Sequence, residues 1–170
     1  VLQAGTFLNK GEINVEKDWI NNVPNEVFLT HEGIVRLFGA EQWMRGTDPT
    51  GFNELHLEGN GIKKMAVDQL AYEKLDLNSN ELAIYGNTFF VENDLSTAIA
   101  RVSGFASTDF FGGYLSRIMD GGAANYLYPL GSQLINVRYR PVELTPTVDG
   151  TYAIAFVNHD VDHDGYLVLA

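Results

Sequence analysis

Short runs that alternate apolar and polar residues recur along the first half of the chain, and Gly, Asn, Asp and Pro bound them. Such alternation is typical of β-strands with one buried face, and frequent Gly and Asn favour tight turns. Helical periodicity is weak. Its best candidate, residues 94–102, fits a strand with a polar lead-in equally well. The pattern therefore predicts an all-β protein built from many short strands.

Four of these runs share an apolar–polar–apolar form, and their starts lie 22, 20 and 20 residues apart. A parallel β-solenoid places one coil in each repeat, so that equivalent inward residues of successive coils stack. We therefore predict that Ile13, Val35, Leu55 and Leu75 form one column. An antiparallel sandwich of the same strands is the alternative.

The pattern changes after about residue 95. Residues 104–132 are rich in Gly and aromatic side chains and show no 20-residue repeat, and residues 139–160 contain two strand-like runs. Pro141 and Pro146 flank Glu143, which indicates an edge strand because proline cannot donate to a ladder. The sequence predicts a short parallel β-solenoid over residues 1–95, followed by an antiparallel β-sandwich over residues 96–170 that packs on it.

Composition narrows the class of protein. The 170 residues are 45% hydrophobic, which suffices for a folded core. A net charge of -11 argues against a nucleic-acid partner, because phosphate contacts need concentrated Lys and Arg. The chain has no cysteine, which excludes disulfides, thiolate metal sites and a cysteine nucleophile. No apolar run approaches the length of a membrane helix, and a start without Met fits a removed export signal.

Four stretches, taken in order, resemble secreted surface proteins of Bacteroidota. The N-terminal matches are Gly5, Phe7, Asn9, Gly11, Ile13, Val15, Trp19, Asn21 and Asn22, then Gly33, Val35, Leu37, Gly39, Gln42, Gly46, Phe52, Asn53, Leu55 and Leu57. The C-terminal matches are residues 126–132 and 139–146, then Phe156, Asn158, Asp160, Asp164, Gly165 and Tyr166. Val161 departs from the proline usual there. The resemblance implies an exported, surface-bound or released protein, often one exported by type IX secretion, and it implies no reaction.

Near the end of the sequence, Asp160, Asp162 and Asp164 alternate before Gly165. Alternate carboxylates can converge on a hard cation, so a calcium site here would use these three side chains and the backbone carbonyl of Tyr166. An acidic, solvated turn between strands is the alternative, and we favour it. The acid that completes an EF-hand loop at its twelfth position would fall at position 171, beyond the sequence.

Other constellations favour simpler interpretations. His159 and His163 stand four apart, but a zinc pair at that spacing needs a helix, which nothing here predicts. We expect His31 and His56 at the surface without partners. The acids Glu54, Glu58, Glu73 and Asp76 fall on the predicted coils without an obvious cluster, although a polysaccharide-cleaving enzyme would need two carboxylates, or an acid with Lys or Arg, on one face.

These observations predict an exported, non-enzymatic structural or adhesive protein of the cell surface. An open N-terminal edge at residues 1–6 would pair with another copy head to tail, and such contacts extend into a filament. The alternative is a carbohydrate-binding module or a polysaccharide-active enzyme on a β-solenoid, with a surface glycan as partner.

The acidic turn is tested by thermal melting with calcium and with chelator, on wild type and on Asp162→Asn. We expect the same midpoint in all four cases. A calcium site would instead stabilise the wild type by about 3 kcal/mol at a hundredfold excess of calcium over the dissociation constant, and the substitution would remove that gain.

Overall fold

The computed structural model describes residues 1–6, 8–24, 27–28, 31–108, 112–122, 124–132 and 137–157. Its strands are β1 (Glu12–Val15), β2 (Trp19–Asn21), β3 (Ile34–Leu37), β4 (Gln42–Gly46), β5 (Thr50–Leu57), β6 (Lys63–Met65), β7 (Gln69–Asp76), β8 (Glu81–Ala83), β9 (Thr88–Val91), β10 (Ile99–Ala100), β11 (Phe105–Ser107), β12 (Tyr114–Met119), β13 (Tyr126–Tyr128), β14 (Leu130–Ser132), β15 (Arg138–Tyr139), β16 (Val142–Leu144) and β17 (Gly150–Ile154). A 3₁₀ helix spans Ser96–Ala98.

The strands form a parallel β-solenoid of about five turns, so the predicted all-β class and solenoid are confirmed. One sheet has the order β1-β3-β5-β7-β9-β12-β17, with β10 also paired to β7. The other has the order β15-β14-β11-β8-β6-β4-β2, and β13 pairs with β16 in a small third sheet. Non-consecutive strands are neighbours because each coil returns to lie beside the previous one.

The predicted column of inward side chains is confirmed. Ile13 is the register partner of Val35, Val35 of Leu55, and Leu55 of Leu75, and Ile99 extends the column by one coil. Val35, Leu55 and Leu75 have almost no exposed surface. Burial of such a side chain contributes roughly 1.5–3 kcal/mol, so the column is a main source of stability.

The eight-stranded sheet contains two tracks of parallel pairs. The first track comprises residues 12–15, 34–37, 54–57, 74–76 and 99–100, and the second comprises 50–52, 69–71, 88–91 and 114–117. Strands β5 and β7 run through both tracks. The register shifts between Phe52 and Glu54, where Tyr72 and Glu73 of β7 oppose the single residue Asn53. This β-bulge marks the corner between the tracks, since a bulge bends its strand.

After residue 95, strands β11, β12 and β14 continue the parallel pairing of the coils. Strand β15 adds to β14 and β17 adds to β12, both antiparallel. Strand β16, flanked by the two prolines, is an edge strand that pairs with β13 and with no other strand among the described residues. The predicted antiparallel sandwich is not confirmed, and the domain boundary at residue 95 stays a prediction.

Glycine is required where two of the coils, those of β3 and β5, leave the first track. A Cβ on Gly39 would lie 2.0 Å from the carbonyl oxygen of Glu16, and one on Gly59 would lie 1.9 Å from that of Phe38. Gly59 also has a φ of +66°, which L side chains rarely adopt. At these two positions the backbone of the preceding coil lies too close for any side chain.

Polar side chains fill the interior beside that corner. Gln42 and its register partner Lys63 are completely buried. The Lys63 ammonium donates to the carbonyl oxygens of Gly39 at 2.5 Å and Ala40 at 2.8 Å. Gln42 donates to the carbonyls of Val15 and Lys17 in the same way. These bonds give the buried ammonium and the buried amide nitrogen acceptors on the backbone of the preceding coil.

Burial lowers the pKa of Lys63 from 10.5 to about 8. Between these pH values the unfolded chain binds more protons than the folded one, so stability increases with pH. We expect the free energy of unfolding of wild type, relative to Lys63→Met, to increase from pH 8 to pH 10.5 by at most about 3 kcal/mol. Urea unfolding of both proteins across this window checks it, and a constant difference would contradict the buried, destabilised ammonium.

Candidate functional site

Outward side chains of the first track form a charged row across the coils. The guanidinium of Arg36 donates to Glu12 at 2.9 Å and to Glu58. It also donates to Nδ1 of His56 at 3.0 Å, so Nε2 of His56 carries the hydrogen and donates to Glu54 at 2.9 Å. The expectation of a partnerless surface position for His56 is wrong, because this side chain is buried and bonded on both nitrogens.

The acids of this row are held in pairs. The row brings together three acids that the sequence did not cluster: Glu54, Glu58 and Asp76. Lys74 lies 3.3 Å from Asp76, and the neighbouring Arg36 lowers the pKa of Glu12. Each exposed ion pair contributes about 1 kcal/mol at most. The row therefore joins neighbouring coils, and its carboxylates are engaged by Arg36, by Lys74 and by the ring N–H of His56.

A cleft of about 540 Å³ lies at the corner between the two tracks. This corner cleft is lined by His31, Tyr72, Glu73, Glu92, Asn93, Asp94 and Leu95. The corner lengthens from coil to coil: it is one residue at Asn53, two in β7, and the seven residues 92–98 between β9 and β10. This last segment, here called the insertion, supplies one wall of the cleft.

Two stacked rings form the opposite part of the cleft. The His31 and Tyr72 ring centroids are 3.5 Å apart with an interplanar angle of 13°. Gly51 makes room for this arrangement, because a Cβ at that position would lie 2.7 Å from Cε2 of Tyr72. His31 is exposed and Tyr72 is half-buried, so the pair presents an aromatic surface at the cleft.

Asn93 joins the insertion to the bulge in β7. Its Nδ2 donates to Oε2 of Glu73 at 2.7 Å, and its Oδ1 accepts from the backbone N–H of Leu95 at 2.8 Å. The bond between Asn93 and Glu73 links the insertion to β7 of the preceding coil. The second fixes the turn that leads into the 3₁₀ helix, as Asn side chains often do.

Two buried side chains hold the insertion from inside. Nη2 of Arg117 donates to the carbonyl of Leu95 at 2.5 Å, and the hydroxyl of Tyr126 donates to that of Asp94 at 2.9 Å. Arg117 is completely buried, its guanidinium lies 4.8 Å from the Tyr126 ring centroid, and burial lowers its pKa. Burying this cation costs free energy. The surrounding core has to hold the guanidinium in place against this cost, and the bond to Leu95 therefore depends on that core.

The rim of the cleft is strongly acidic. Glu73, Glu92 and Asp94 are exposed. Asp94 raises the pKa of nearby Asp120, and burial and Asp149 add to that rise. Nearby like charges disfavour the ionised form of a carboxyl group. The cleft is therefore a region where a positive charge would be stabilised.

The N-terminal end of the eight-stranded sheet is open in the described part of the chain. The carbonyls of Gly11 and Val15 accept from the backbone N–H groups of Ile34 and Phe38. Because the backbone N–H and C=O groups of successive strand residues point to opposite sides, those of Asn14 point away from β3, toward the free side. Ile13 and Val15 are only partly buried. At the neighbouring sheet, Leu2 makes a single parallel bridge to Asn21.

The predicted calcium ligands, Asp160, Asp162, Asp164 and Tyr166, lie outside the described residues, as do His159 and His163. Within the described ranges, no three His, Asp or Glu side chains are grouped so as to hold a metal ion. Over the same ranges, no helix is long and apolar enough to cross a membrane. Calcium binding stays untested.

Comparisons with protein families, curated proteins and solved structures found no match to this chain. The resemblance to Bacteroidota surface proteins therefore stays a prediction, and function is argued from the geometry.

Gly51→Ala tests the origin of the stacked pair. The added methyl group would push the Tyr72 ring away from His31, while a Gly→Ala change alters the free energy of unfolding by less than about 1 kcal/mol where the backbone allows alanine. We expect the NMR shifts of the His31 ring protons to move because they lose the ring current of Tyr72. Tyr72→Phe, which keeps the stack, is the control, and unchanged shifts in Gly51→Ala would contradict the assigned contact.

Proposed function

We propose that this protein is an exported, non-enzymatic structural or adhesive module that associates with further copies of itself through its N-terminal edge. The open edge of β1 carries the proposal. It combines backbone groups directed to the free side with Ile13 and Val15, the incompletely covered ends of two inward columns. Such an edge recruits another strand, which would complete its hydrogen bonds and cover these side chains.

Head-to-tail addition is supported by the order of the eight-stranded sheet. Its two terminal strands in the described chain are β1 and β17, at opposite ends of the solenoid. If β1 of one copy pairs with β17 of the next, the contact joins two different surfaces. A heterologous contact that does not close into a ring extends into a filament.

The structural or adhesive role rests on two further observations. Acids of the charged row are engaged with Arg36, His56 and Lys74, an arrangement that suits a rigid scaffold better than an acid–base pair. The extracellular location rests on the sequence resemblance. The corner cleft favours carbohydrate binding as a second function.

Asn14→Pro is the sharpest test of the edge. Proline removes one donor from the free side of β1, and an edge strand tolerates it where the N–H faces away from the sheet. Asn14→Thr keeps the donor and is the matched control. We expect sedimentation and electron microscopy to show assemblies for wild type and Asn14→Thr, and folded monomers for Asn14→Pro.

Mixing the variants distinguishes head-to-tail growth from a symmetric dimer. An Asn14→Pro copy still offers β17, so it can add to a wild-type β1 edge and then stops growth. We expect a small fraction of it to shorten wild-type assemblies. Assemblies that persist in pure Asn14→Pro would overturn pairing through β1, and wild type that stays monomeric would overturn self-association.

A further inference from the structure

We propose that the corner cleft binds a carbohydrate chain that carries amino groups, with a sugar ring against the His31–Tyr72 pair and ammonium groups at Glu92 and Asp94. This proposal concerns a different surface from β1, and it does not depend on self-association.

Shape and rigidity support a ligand site. A volume of about 540 Å³ lies within the range of roughly 300–1,000 Å³ common for small-molecule sites. Asn93, Arg117 and Tyr126 fix the insertion through its side-chain and backbone bonds. A wall that is already ordered loses little conformational entropy when a ligand binds. One wall of this open cleft is therefore held in place before a ligand binds.

The charge of the cleft selects the ligand. Three of its seven described lining residues are carboxylates, and none is lysine or arginine. Asp120 lies close to Asp94, and Asp149 in turn lies close to Asp120, which adds further negative charge beside the cleft. A neutral sugar would leave this charge uncompensated. An ammonium group would make charge-assisted hydrogen bonds to the carboxylates, which are stronger than neutral ones.

The side chains suit a sugar better than a peptide. Three recurring modes of peptide binding use a free sheet edge, a long apolar groove or an arginine cluster. Here the carbonyls of Asp94 and Leu95 already accept from Tyr126 and Arg117. This wall therefore presents side chains, and not these backbone carbonyls, to a ligand. The aromatic pair and Leu95, which is 60% exposed, provide apolar contacts for the C–H face of a pyranose ring.

The test compares two oligomers of equal length, one of glucosamine and one of N-acetylglucosamine, by calorimetric titration. They share the sugar backbone and differ at the nitrogen, which is a charged ammonium in the first and a neutral acetamide in the second. We expect the glucosamine oligomer to bind about tenfold more tightly or better, and its binding to weaken as salt increases. Equal binding of both oligomers would overturn the role of the amino group, and binding of neither would overturn the site.

Variants locate the binding. Asp94→Asn should weaken the glucosamine oligomer about tenfold, the effect of losing one charged hydrogen bond. Gly51→Ala should weaken it without changing any charge, because it displaces Tyr72. Glu16→Gln removes an equal charge from an exposed position outside the cleft and should leave affinity unchanged.

Two outcomes of the variant series would contradict the proposal. An equal loss in Asp94→Asn and Glu16→Gln would show diffuse electrostatic attraction, and would overturn the cleft as the binding site. Oligolysine that binds as tightly as the glucosamine oligomer, and is equally sensitive to Gly51→Ala, would overturn recognition of the sugar.

Discussion

The stacking of each inward side chain on its equivalent in the next coil is the interaction on which this structure depends. Parallel strands lie about 4.8 Å apart, so side chains in register touch along the solenoid axis. A single coil of about twenty residues cannot cover its own apolar face, and several coils together bury a continuous core. In the column, Leu55 has Val35 of the preceding coil and Leu75 of the following coil as its register partners. The terminal coil lacks one neighbour, and for this reason Ile13 is less buried than Val35.

The corners between strand segments do not have to stack in register, and the candidate cleft lies at one of these corners. Inward columns fix the strand segments, whereas the connecting residues only have to join them. The corner between the two tracks can therefore grow from Asn53 alone to the insertion 92–98 without disturbing the ladder. Functional residues collect on such connections because the scaffold beneath them is rigid. Buried Arg117 and Tyr126 extend that rigidity into the insertion.

Sequence reasoning found the first coils because their spacing is nearly constant. It missed the parallel continuation after residue 95, and the insertion supplies the physical reason. Partners across that coil are 24 residues apart at Leu75 and Ile99 and 26 apart at Thr88 and Tyr114, so a 20-residue search fails there. The cleft was missed because its residues come from separate coils. The 20-residue separation of Glu73 and Asn93 was a usable signal, since it places both at the same corner.

Buried polar side chains favour one register between neighbouring coils, which apolar stacking alone does not define. Columns of similar aliphatic residues would tolerate a coil that shifts along its neighbour, because one Leu can replace another. Lys63 and Gln42 each reach carbonyls of particular turn residues, and a shift would leave a buried ammonium or amide without partners. Polar groups fix register in this way in other repetitive folds. We infer that in this solenoid the aliphatic columns contribute burial energy, while the buried polar positions beside the corners favour one alignment of the coils.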